Sequence, residues 1–157
     1  MYNPLSENTP APDFTLPDQN NLNHTLSEYK GKWVLIYFYP KDDTPGCTTQ
    51  ACGLRDASEE YKKADITILG ISKDTVKKHK KFEEKYNLTF TLLADINTEV
   101  AQKYGIWGPK KFMGREFLGI HRTSFLIDPK GIIKKVYEKV NVLTHAQQIL
   151  EDKLKLA

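Results

Sequence analysis

Cysteine is scarce in this chain, with two among 157 residues, too few for a small scaffold stapled by disulfides. An excess of one charge is lacking as well. The 23 basic and 20 acidic side chains leave a net +3, too slight to call for nucleic acid as a partner. No stretch interleaves basic and aromatic residues as single-stranded nucleic-acid binding requires. Nor does any segment approach the roughly 18 consecutive apolar residues of a membrane span. The opening MYNPLSENTPAPDF lacks the basic start and apolar run of a secretory leader. Repeats and low-complexity tracts are absent. The expected address is the cytosol, where thiols are held reduced and a purely structural disulfide is unusual, so the two cysteines need another explanation.

What is present is an ordinary globular balance, 39% hydrophobic and 27% charged, on a length that suits one domain spanning residues 1–157. Pro4, Pro10 and Pro12 mark an extended entry. A short strand is expected near Phe14–Leu16, followed by a turn through residues 18–21. The run WVLIYFY from Trp33 to Tyr39 reads as a strand covered on both faces and ended by Pro40. A helix is expected from about Cys47 to Ala64, with Leu54, Ala57, Ser58 and Tyr61 on one stripe. ITILGIS (66–72) is a second buried strand, and Asp74 is positioned to cap a helix reaching Tyr86. Strands follow at 90–95, 115–118, 123–128 and 132–140, with a short helix from Asn97 to Tyr104 and an amphipathic helix from Thr144 to Leu156. Strand–helix alternation closed by a late hairpin implies an α/β fold with a mixed central sheet flanked by helices, preceded by an N-terminal extension.

The chemistry concentrates in PKDDTPGCTTQAC, residues 40–52. This segment leaves the carboxyl end of the most buried strand, where open α/β folds gather loops and helix N-termini around ligands. Pro45 and Gly46 form a turn that puts Cys47 in the first turn of the following helix. Unpaired N–H groups and the positive end of the helix dipole there favour a thiolate, and a free thiol is only a few per cent ionised near neutrality without such help. Thr44, three residues earlier, can aim a hydroxyl at the same pocket.

With these residues in view the chain resembles a peroxiredoxin. Pro40, Thr44 and Cys47 fill the pattern Pro-x-x-x-Thr-x-x-Cys, and FYPKDDTPGCTTQACGLRD is similar to the Q-type branch, also called bacterioferritin comigratory protein. The likeness continues through APDFTLPD, GKWVLIYFYP and RTSFLIDPKG and so spans nearly the whole chain. It implies a thioredoxin-like fold, reduction of a hydroperoxide without a metal or organic cofactor, and recycling by thioredoxin or a similar dithiol donor. It also implies that Cys52 is the resolving cysteine and that Arg122 is the arginine beside the reactive sulfur. A guanidinium suits that place because it stays charged and donates to thiolate and peroxide oxygen together. The expected catalytic set is therefore Thr44, Cys47, Cys52 and Arg122, with Arg115 the next arginine to consider. Monomer and homodimer are both open.

Other features are read as structural. The basic run Lys77–Lys81, followed by Glu83 and Glu84, is expected to be a solvated helix face. His24, His79, His121 and His145 show no metal-ligand spacing with either cysteine. His121 adjoins Arg122 but points to the opposite face if both lie on a strand. Trp107, in the Gly- and Pro-containing stretch WGPKKFMG, is expected in a loop that walls the pocket. Two other functions fit a thiol of this kind. A general disulfide oxidoreductase is disfavoured by four residues between the cysteines where C-x-x-C has two. A non-enzymatic redox sensor would consume a single equivalent of peroxide.

Overall fold

The structure, a computed structural model, describes residues 1–156. Five strands form a central mixed sheet: β3 (Trp33–Phe38), β4 (Ile66–Ser72), β5 (Thr91–Ala94), β8 (Thr123–Ile127) and β9 (Ile133–Tyr137), in the order β5-β4-β3-β8-β9. The pairs β3–β4 and β4–β5 are parallel, while β3–β8 and β8–β9 are antiparallel. A parallel pair needs a crossover, and helices supply both: α1 (Pro45–Asp56) with α2 (Ser58–Lys63), then α3 (Val76–Tyr86). The chain ends in α5 (His145–Leu156).

β3 explains the layering. Its side chains alternate between two cores, and because both faces are covered its sequence shows no polar alternation. Val34, Ile36 and Phe38 pack with Phe14, Leu26 and the short helix α4 (Glu99–Lys103) on one side. Leu35, Tyr37 and Tyr39 pack under α1, α2, α3 and α5 on the other, and Cys47 belongs to that second core. Gly70 on β4 is required here, since a Cβ would stand 2.9 Å from the Tyr37 ring.

The sequence reading needs four corrections. The helix expected over 47–64 starts at Pro45 and breaks at Ala57, whose near-zero ψ ends α1 before α2 begins. Thr75, not Asp74, caps α3 by accepting from the Lys78 amide. Asp74 instead accepts from the Asp42 amide and the Ser72 hydroxyl. WGPKKFMG is not a loop: β6 (Trp107–Phe112) pairs antiparallel with β7 (Arg115–Ile120) in a two-stranded ribbon turned at Met113 and Gly114, both at positive φ. A second small hairpin joins β1 (Thr15–Pro17) to β2 (Asn23–Thr25), the latter polar and unforeseen. No helix among the described residues is long and apolar enough to cross a membrane.

Candidate active site

β3 ends at Phe38, and five residues of turn, from Pro40 to Thr44, lead into α1. Thr44 is the N-cap in extended conformation, and Pro45 holds the first helical position, where its missing N–H costs nothing. The first helical bond runs from the Thr48 amide to the Thr44 carbonyl at 2.8 Å. The amides of Gly46 and Cys47 precede it and have no intrahelical acceptor. The Thr44 hydroxyl does not cap them. It donates to the Lys41 carbonyl at 2.9 Å, which leaves its lone pairs free to accept.

Cys47 is 2% exposed, while Cys52, one and a half turns further along the same helix, is half-buried; both are free thiols. Arg122 reaches in from the junction of β7 and β8. Its Nη2 donates to Cys47 Sγ at 3.2 Å and its Nη1 to Gln50 Oε1 at 2.6 Å. The fork geometry of the guanidinium thus aims one nitrogen at sulfur by bracing the other on a neutral amide. Gly46 leaves room for this: a Cβ there would meet Nη2 at 3.2 Å.

Of the expected residues, Cys47 and Arg122 are in direct contact and Thr44 caps the same helix. Cys52 shares that helix without touching Cys47, because five residues of regular helix advance about 7.5 Å and turn by about 140° beyond one full revolution. Arg115 lies at the exposed tip of the ribbon. His121 lies between β7 and β8 and not on a strand; its ring is tilted against that of Tyr2 at 4.4 Å, and its Nε2 meets the Pro109 carbonyl at 3.0 Å. The Trp107 ring packs against the core beneath the Lys73 ammonium, 5.8 Å away.

Four contributors were not read from the sequence. Gln50 is signalled only by its place three residues after Cys47, one turn along the same face. Lys110, on β6, is half-buried and donates to the Ile120 carbonyl at 2.9 Å. Burial first and the Arg122 charge second hold its ammonium below the usual lysine range, with Cys47 acting in the opposite sense. The Tyr37 phenol is fully buried, and burial, reinforced by Asp42 and Cys47, drives its pKa well above the ordinary value, so it stays neutral. His145 donates to or accepts from Ser124 Oγ at 2.9 Å, and burial together with the Arg122 charge lowers its pKa to about 4. Among the described residues, Arg122 is the cation that hydrogen-bonds the sulfur.

A buried sulfur at a helix N-terminus, under a braced guanidinium, can displace an anionic leaving group whose charge those donors receive. Comparison with known proteins gives the same direction. Residues 8–136 match the model of the AhpC/TSA family. The chain is 49% identical to peroxiredoxin Bcp of Escherichia coli, covering 94% of this chain and 95% of that protein. It is 45% identical to peroxiredoxin Bcp of Bacillus subtilis, covering 90% of each. Among solved structures, the bacterioferritin comigratory protein of Xanthomonas campestris, described for alkyl peroxide reduction, superposes with a TM-score of 0.86 at 34% identity over 91% of both chains. The mixed sheet and its helices are thus the thioredoxin fold as such proteins carry it.

Proposed function

This chain belongs to the AhpC/TSA family, in the peroxiredoxin Q or Bcp branch, and is a thiol-dependent peroxidase; from that premise we propose a cycle run by Cys47 and Cys52 within one subunit. The Cys47 thiolate attacks the terminal oxygen of a hydroperoxide. The S–O bond forms as the O–O bond breaks, and the alkoxide or hydroxide leaves and takes up a proton. The peroxide is reduced and the sulfur becomes a sulfenic acid. Arg122 donates to the sulfur and to the migrating charge, and the Thr44 oxygen accepts the hydrogen of the incoming peroxide. The Cys52 thiol then attacks the sulfenic sulfur, releasing water and closing a disulfide. A dithiol of the thioredoxin type returns both cysteines to thiols by exchange.

The observation that carries this reading is the 3.2 Å contact between Arg122 Nη2 and Cys47 Sγ at the start of α1. A sulfur held merely as core would need no charged donor, since free cysteine packs as a small hydrophobe. The reading is tested by turnover with a dithiol system. Cys47→Ser is expected to be inert. Cys52→Ser is expected to consume one equivalent of peroxide and stop, carrying one added oxygen by mass. Unchanged dithiol-driven turnover in Cys52→Ser, with no oxygen adduct, excludes Cys52 from the cycle. A parent protein that consumes a single equivalent despite excess dithiol is a sensor instead.

A further inference from the structure

His79 sits in the run Lys77–Lys81, expected to be a solvated face, yet it is 0% exposed. Its Nε2 faces the Leu93 carbonyl at 3.0 Å, an acceptor only, so that nitrogen carries a proton. Its Nδ1 lies 2.6 Å from Asp42 Oδ2. The other Asp42 oxygen accepts from the Tyr39 hydroxyl at 2.5 Å, and the Asp42 amide donates to Asp74 at 2.8 Å. Asp42, Asp74 and His79 bring ligand-type atoms within 4.8 Å of one another. The carboxylate oxygens already take hydrogen donors from Tyr39, Ser72 and the Asp42 amide, and both ring nitrogens of His79 already face acceptor oxygens, which makes the cluster a hydrogen-bond network rather than a coordination sphere.

A buried acid–imidazole pair is a poor way to gain stability, since apolar residues of similar volume serve as well or better. What the pair supplies is direction. Asp42 belongs to the turn between β3 and α1, and from it the bonded path runs without a gap. Lys41 accepts from the Thr44 hydroxyl at 2.9 Å, and the Thr44 carbonyl accepts the first helical amide of α1. Asp43, the next residue, is at φ 56, in the left-handed region that aspartate enters more readily than most non-glycine residues. Its carboxylate takes Lys85 Nζ at 2.8 Å and the Tyr86 hydroxyl at 2.7 Å. Both acids therefore tie the turn to α3, one through the core and one across the surface.

We propose that Asp42 and His79 are positioning residues for the Cys47 sulfur, fixing the N-terminus of α1 relative to Arg122, with Asp43 as a weaker outer tether to the same helix. The proposal rests on Cys47 being the attacking group. Neither residue touches the sulfur. They act through the turn, and through them α3 takes part in holding the sulfur.

The test compares two reactions of Cys47 in a Cys52→Ser background: oxidation by hydrogen peroxide, followed by stopped flow, and alkylation by iodoacetamide. Peroxide attack needs sulfur and guanidinium in register, whereas alkylation needs only an accessible thiolate. In His79→Leu the peroxide rate constant is expected to fall roughly 10- to 100-fold, the scale of a small misalignment, and the ratio of peroxide to alkylation rates to fall with it. His79→Asn, which returns an N–H toward Asp42, is expected to recover most of the loss. Asp43→Asn is expected to shift the ratio in the same sense by a smaller factor. A lowered thermal midpoint with the ratio at its parent value means that the pair only stabilises the fold, and it overturns the proposal. Should His79→Leu fail to fold, the isosteric Asp42→Asn carries the same comparison, and an unchanged ratio there is equally decisive against it. Cys47→Ser tests the premise by itself: residual peroxide consumption in that control removes the Cys47 reading whatever the ratios do.

Discussion

The two halves of α1 are built differently. Around Cys47 the helix start is held by side chains from two other parts of the fold: Arg122, between β7 and β8, on the sulfur and on Gln50, and α3, through His79 on Asp42 and Lys85 with Tyr86 on Asp43. Around Cys52 the sulfur is half-buried, and the next residue is Gly53. Nothing in the packing demands that glycine, because a Cβ would find its nearest neighbour, the Val142 carbonyl oxygen, at 4.0 Å. A glycine inside a helix weakens it by about 0.5–1 kcal/mol relative to alanine. In the proposed cycle the first half is fixed for attack on peroxide, and the second is the part that yields. The proposed disulfide requires that asymmetry, because closure brings the Cα atoms within about 7 Å and regular helix keeps them further apart.

The largest effect on the rigid half comes from its charge. Arg122→Met removes the donor to sulfur and strands Gln50 Oε1, which has Arg122 as its partner. Peroxide attack is expected to slow about 10²–10³-fold, the usual consequence of losing one preorganised donor. Closure of the disulfide from a preformed sulfenic acid is expected to change far less. Single-turnover fluorescence or quenched-flow mass analysis separates the two steps. Equal slowing of both would mean that the halves are not independent.

The yielding half is tested by hydrogen exchange over residues 45–55 in the reduced and disulfide forms. Unwinding the turns between Cys47 and Cys52 gives up three or so hydrogen bonds at about 1 kcal/mol net each, so protection there is expected to drop by roughly 2–4 kcal/mol. Ala51 and Leu54 are both 0% exposed. Leu54 is expected to stay anchored while Ala51 is released, which places the boundary of lost protection between them. Equal protection in both forms, with the disulfide verified by mass, defeats the unwinding account.

Acid is expected to act on α5, whose first residue is His145 and which packs on α1. Burial and the nearby Arg122 charge lower the His145 pKa from 6.5 to about 4. In the unfolded chain the imidazole takes up a proton near 6.5, whereas in the fold it resists until about 4. The stability owed to the neutral ring is therefore complete above about pH 6.5 and is lost as pH falls toward about 4, by about 3 kcal/mol in all. Urea denaturation of the parent and of His145→Gln from pH 7 to 4 isolates this contribution as the difference between the two curves. Parallel curves would show that His145 carries no linkage.

What could be read from the sequence follows how local each feature is. β4 is legible to the residue, because a strand buried at every position but Thr67 leaves no competing period. The meeting of Cys47 with Arg122, 75 residues apart, came from the family resemblance and not from any local pattern. The sequence of β6 reads as a loop because Gly108 and Pro109 are breakers in a central strand, yet a two-stranded ribbon tolerates them. His79 was hidden among lysines: at Lys77, Lys78 and Lys81 the chain is exposed, and only helical phase turns the histidine inward beside Phe82. Asp74 had the right spacing to cap α3, but the amide of Asp42, distant in sequence, bonds its carboxylate instead. The tether between the turn and α3 is tertiary throughout, and no single window of sequence contains it.

The smallest expected effects give the sharpest comparison, because the same substitution made in each half should act on opposite steps. Gly46→Ala improves helix propensity but pushes a Cβ to 3.2 Å from Arg122 Nη2. The guanidinium must give way by a few tenths of an ångström, at the cost of its aim at sulfur. Attack is expected to slow about two- to fivefold, with stability unchanged or slightly raised and closure unaffected. Gly53→Ala meets no obstruction and firms the helix by about 0.5–1 kcal/mol. That energy must be returned when the segment unwinds, so closure is expected to slow about two- to fivefold, at 1.36 kcal/mol per tenfold, while attack proceeds at the parent rate. A slower closure lengthens the life of the sulfenic acid, so Gly53→Ala should also be overoxidised at lower peroxide concentration. Stopped-flow traces with separate oxidation and closure phases, read on both variants, decide the matter. If Gly53→Ala slows attack, or Gly46→Ala slows closure, the two halves of α1 do not divide the cycle between them.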